Sequence, residues 1–116
     1  MSDGRKIEDG PEIEIYRHPN AEIRSYLTQE PISNPVVESF RAPYTPEKTK
    51  SLLSLGALGK QIVQEIMTLQ GITEIRVKPK EIRIIKAQEA SWDCIEGPIL
   101  RLLASALKRK RLRRVK

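Results

Sequence analysis

The densest chemistry in the chain is cationic. Lys108, Arg109, Lys110, Arg111, Arg113, Arg114 and Lys116 crowd into the last nine residues, KRKRLRRVK, with no acid among them. Seven like charges so close repel one another, and a phosphate polymer relieves that repulsion while releasing its own counterions. Leu112 and Val115 are too few to make a membrane-inserting face. These seven residues are the candidate contacts to RNA or DNA; the plainer reading is a solubilising extension. Of the chain's 21 Lys and Arg, the other 14 face 15 Asp and Glu, so the formal charge of +6 resides in this tail and the body is near neutral.

Elsewhere, reactive side chains are scarce. Cys94 is the only cysteine and His18 the only histidine. A lone thiol excludes an intramolecular disulfide and a cysteine-rich metal site built from one chain. Two copies would bring two thiolates, short of the four that iron–sulfur clusters usually take. Cys94 sits between Asp93 and Glu96 as a small side chain, and a structural role is the plainer reading. His18 stands in HPNAE, a turn sequence, where polar side chains bond to backbone. Glu12, Glu14 and Glu22 read as the wet faces of strands and would bind iron only if they converged. No glycine-rich phosphate loop, HExxH, GxSxG or CxxC occurs. The chain is therefore expected not to be an enzyme, with no catalytic, metal or cofactor residues assigned.

Composition bounds the rest. A chain of 116 residues is one domain by default, and with aromatics at 4% its core must be aliphatic. The opening residues lack an apolar signal region, and no apolar run approaches the ~18 residues of a membrane span. A cytoplasmic, reducing location is the expectation.

The elements that must carry these residues follow from period. Residues 1–11 read as a flexible leader, 12–107 as the folded domain and 108–116 as the basic tail. Ile13 and Ile15 alternate with polar neighbours as a first strand. Ile23, Ser25 and Leu27 form a second, paired with it across the His18–Glu22 turn. Val36–Phe40 is short, β-branched and apolar, and reads as a third strand or an extended edge. Thr45-Pro46-Glu47 is a helix start: a capping hydroxyl, proline in the first turn and a favourable carboxylate. Leu55, Leu58, Ile62, Val63, Ile66 and Leu69 mark one stripe of a helix that Ser54 would cap and Gly71 would end. Whether it fuses with the segment before it is open, because Gly56 and Gly59 weaken the junction. Ile75 and Val77, then Ile82 and Ile84, give a hairpin turning at Lys78–Glu81. Ser91 would cap a single turn over 91–96, Pro98 would impose a kink or restart, and a regular helix would run to about Leu107. Trp92, Ile95, Ile99, Leu102, Leu103 and Ala106 share its apolar face, with Trp92 as a core anchor. The expected fold is α+β: a two-layer sandwich in the order β-β-(β)-α-β-β-α, its mainly antiparallel sheet of four to five strands covered on one face by two helices.

The chain also resembles the N-terminal domain of the Nfu/NifU-type iron–sulfur scaffold proteins. His18-Pro19-Asn20-Ala21 stands where that domain has TPNP. The helix from Ser54-Leu55-Gly56-Ala57-Leu58 through Ile66, Leu69, Gly71 and Ile72 is similar to SPLAxxLFxIxGV. Ile75–Lys86 matches the following hairpin, and Trp92, Ile95, Gly97, Pro98 and Ile99 match WxxLKPxI. The likeness spans about Glu12 to Leu107. The separate C-terminal domain whose Cys-x-x-Cys pair holds the cluster has no counterpart in this sequence. The resemblance implies the fold and a non-enzymatic adaptor role in iron–sulfur cluster assembly, with assembly or recipient proteins as partners. An edge strand or the hairpin face would make the contact. The alternatives are a nucleic-acid-associated protein acting through the tail and, more remotely, direct iron binding by the domain.

Overall fold

The computed structural model describes residues 13–43 and 48–115, with side chains through Lys108. Strands β1 (Ile13–Arg17) and β2 (Ile23–Thr28) form a hairpin, followed by β3 (Glu38–Arg41). Helices α1 (Thr49–Ser54) and α2 (Gly56–Met67) lead to the hairpin β4 (Ile72–Lys78) and β5 (Glu81–Lys86), and α3 (Trp92–Val115) closes the chain. The five strands make one antiparallel sheet in the order β1-β2-β5-β4-β3. This is the expected α+β arrangement, a sheet covered by helices.

Register sets which residues meet. Tyr26 lies opposite Ile82, Ile82 opposite Val77, Ile84 opposite Ile75, and Ile75 opposite Phe40. Partners across an antiparallel ladder point to the same side, so these six form one apolar face. All are fully buried. Leu55, Ile62, Val63 and Ile66 from the α1–α2 region, and Trp92, Ile95, Ile99, Leu103, Ala106 and Leu107 from α3, complete the same core cluster. Leu58 and Leu69 of the expected stripe pack at its margin.

Local chemistry explains the boundaries. Gly71 ends the α2 region with φ +91°, a left-handed conformation that costs a residue with a Cβ about 1–2 kcal/mol. Gly56 has φ +88°, and this turn of the backbone separates α1 from α2, so the two helices do not fuse. Ser54 does not cap α2 as expected. It is the last residue of α1, and its hydroxyl donates to the Ser51 carbonyl (2.7 Å) and lies 3.0 Å from Glu38 Oε2. Leu55, at the α2 N-cap, offers no side-chain acceptor. Ser91 does cap α3: its Oγ accepts from the Asp93 N–H at 3.1 Å. The helix start at Thr45-Pro46-Glu47 lies outside the described residues, and α1 begins at Thr49.

Two further expectations need correction. The third strand lies at Glu38–Arg41, because pairing with β4 from Val77 to Glu74 decides its span. The last helix neither stops nor restarts at Pro98. It is continuous from Trp92 to Val115, passing the expected end near Leu107. Proline removes the donor for the Cys94 carbonyl, at a cost of about 3 kcal/mol in a helix interior. Cys94 is an exposed position where water can serve that carbonyl, and buried Ile95 and Ile99 hold the helix to the core on either side of Pro98.

Candidate interaction surface

The opposite face of the sheet is where the chain keeps its uncommitted chemistry. Its middle row, read across β1, β2, β5, β4 and β3, is Tyr16, Ser25, Arg83, Arg76 and Ser39. Strand alternation puts these side chains away from the helices. Ile23 and Ile85 lie opposite each other on this side, and Leu27 is nearby on β2. None of these three joins the core cluster, although each is half-buried. Tyr16 is 51% exposed.

His18 and Ser25 meet on this face, with Nε2 2.8 Å from Oγ. The imidazole also stands edge-on to Tyr16, 4.6 Å between ring centres. A serine–histidine contact is the beginning of a nucleophile–base pair. Here Ser25 is 1% exposed, so its oxygen is closed to a substrate, and no hydrogen bond among the described residues orients the other ring nitrogen. The pair ties the β1–β2 turn to the sheet.

Charge on this face is unevenly matched. Glu74 pairs with Arg41 at 3.4 Å, and Glu81 with Lys78 at 3.9 Å. Arg83 and Arg76 stand directly opposite each other, and neither forms an ion pair with an acid among the described residues. Like charges in register on a sheet repel. The Nε of Arg83 is buried and makes no hydrogen bond.

A second polar cluster is already satisfied. Arg24 reaches Glu96 Oε1 at 2.7 Å, and the Tyr26 hydroxyl donates to the same oxygen at 2.9 Å. The Arg24 guanidinium lies 4.8 Å from the Trp92 ring centre, and Trp92 Nε1 donates to the Ala21 carbonyl at 2.8 Å. Burial, then the bond and charge of Glu96, push the Tyr26 phenol well above its ordinary value. This network fastens the start of α3 to β2.

The remaining sequence candidates stay apart. Cys94 is exposed on the first turn of α3. Glu14 is exposed on β1, Glu22 lies in the following turn, and Glu12 is outside the described residues. Among the described residues no three of His, Cys, Asp and Glu come together as a metal site. With one cysteine in the chain, this donor set does not fit a resident iron–sulfur cluster. Lys108 is exposed on α3, whose helical backbone continues through Arg109, Lys110, Arg111, Arg113 and Arg114; Lys116 lies outside the described residues. No helix among the described residues is long and apolar enough to cross a membrane.

No family model and no curated protein matches the chain in sequence. Solved structures do match in fold. A NifU-like protein from Saccharomyces cerevisiae, solved by NMR in solution, superposes with a TM-score of 0.64 at 14% identity, over 90% of this chain and 85% of that one. The crystal structure of protein SAV1430 from Staphylococcus aureus gives 0.58 at 13% identity, over 78% of this chain and 96% of that one. At such identities the likeness is one of fold: the chain has a NifU-like fold.

Proposed function

We propose that the chain is an accessory domain of iron–sulfur cluster assembly that works by protein–protein contact and catalyses nothing itself. The observation that carries this reading is the fold shared with a NifU-like protein over 90% of the chain. The cluster is cargo held by a partner, since one cysteine cannot supply the usual set of thiolates. The contact surface is the hairpin face of the sheet, which keeps an aromatic ring, half-buried aliphatics and unmatched arginines clear of the core. Aromatic residues and Arg are the types enriched at protein interfaces.

The test is capture by the full chain from cell extract, followed by a cluster-transfer assay with whatever is captured. Recovery of a cluster-carrying or cluster-receiving protein, with transfer rates altered by adding the chain, is the expected result. Recovery of neither such protein, with transfer unchanged, overturns it. A second reading, phosphate binding by the tail, is favoured by the continuation of the α3 backbone through its cationic end.

A further inference from the structure

We propose that the open face of the sheet, centred on Arg83, docks a partner segment whose carboxylate is flanked by aliphatic side chains. This rests on the protein-contact reading above and specifies its surface and chemistry. Two independent observations converge there. Arg83 and Arg76 oppose each other in register with no ion pair to an acid among the described residues, so their repulsion is not offset there. The Nε of Arg83 has also been withdrawn from water without gaining an acceptor. An unmade bond of this kind is costly; a carboxylate on the guanidinium offsets the repulsion, and a turn of the half-buried Arg83 side chain brings Nε within its reach.

The surroundings choose the class of anion. Ile23, Ile85 and Leu27 form an apolar margin beside the arginines that aliphatic side chains fill and a bare phosphate group does not. Glu14, Glu74 and Glu81 share the face and would repel successive phosphates. Glu74 and Glu81 already have their own cations, so a single carboxylate meets Arg83 and Arg76 without competition from them. Tyr16, half exposed at the β1 end of the same row, adds a rigid aromatic contact. Carboxylate at the centre and aliphatics around it describe a protein segment.

The experiment is a titration of the isotope-labelled full chain, followed by backbone amide shifts. The probes are a blocked peptide with an Asp-Glu pair between leucines, the same peptide with Asn-Gln, and inorganic phosphate. The acidic peptide should shift amides of β5 and β4 around Arg83 and Arg76. The Asn-Gln peptide, and the acidic peptide on Arg83→Gln, should bind roughly tenfold or more weakly, the range for a lost charge-assisted bond. Arg83→Lys should recover only part of the affinity, because it restores charge without the fork. Arg76→Gln, at an exposed position, gives a weakened variant that leaves the fold untouched. Shifts confined to the residues from Lys108 onward, equal binding of both peptides, or phosphate binding as tightly as the acidic peptide would each overturn the proposal. The two readings fail separately. Capture of a cluster protein unaffected by Arg83→Gln sinks the surface and keeps the function. A positive titration with no such capture keeps the surface and sinks the function.

Discussion

Glu96 shows how much one oxygen can organise. Arg24 and Tyr26 both address its Oε1. Replacing it by Gln keeps the shape and removes the charge. We expect a loss of about 1–3 kcal/mol in denaturant unfolding, since the buried Tyr26 phenol and the half-buried Arg24 lose a charged acceptor. Tyr26 adds a signature in pH. Its phenol holds its proton more tightly folded than unfolded, so the folded chain binds more protons once an unfolded tyrosine begins to ionise near ~10. That stabilisation is complete below this pH and declines as pH rises above it. Thermal unfolding midpoints should therefore drop with alkalinity above about pH 10, and Tyr26→Phe should flatten the drop. Little of this was legible in one dimension. Trp92 announces itself as a core anchor by size and phase, but Arg24 and Glu96 are far apart in sequence and read as ordinary wet-face residues. Arg83 hides for the same reason, because alternation says that it faces away from the core without saying which strands flank it.

Elements were easier to read, because period and punctuation are local. Gly71 is the clearest case. Its φ of +91° suits glycine, and a methyl group there would stand 2.8 Å from the Ala90 Cβ. Gly71→Ala should lower stability by more than about 1 kcal/mol, checked by urea unfolding. Pro98 misleads in the opposite direction. Proline signals a break in any local reading, yet burial of Ile95 and Ile99 outweighs it, and that compensation exists only once the sheet is in place. Ser54 fails as a cap because the chain turns at Leu55–Gly56, and its hydroxyl finds partners behind it instead.

At the scale of the whole molecule, the charge distribution divides the chain into a near-neutral body and a cationic end. Truncation before Lys108 should leave the core intact, since it keeps every buried core residue among the described ones, through Leu107. If the tail binds duplex DNA through ~5 phosphates, log affinity should fall against log salt with a slope of about −4 to −5, and the truncation should abolish it. Filter binding at several salt concentrations checks both. The two-layer plan was legible because hairpins follow from short turns. The strand order was not, since nothing in the sequence says that β2 pairs with β5.

That one pairing has a consequence for how the protein is made. Strands β2 and β5 join residues about sixty positions apart, and among the described residues no other ladder links the β1–β2 hairpin to the rest of the sheet. A ribosome that has released only the first half has therefore exported a hairpin with a bare flank. Such a stub is a target for chaperones or for a neighbour's strand until Glu81–Lys86 emerges. Chains arrested just before Glu81 should be digested by protease as readily as unfolded ones, and chains arrested after α3 has cleared the exit should resist it.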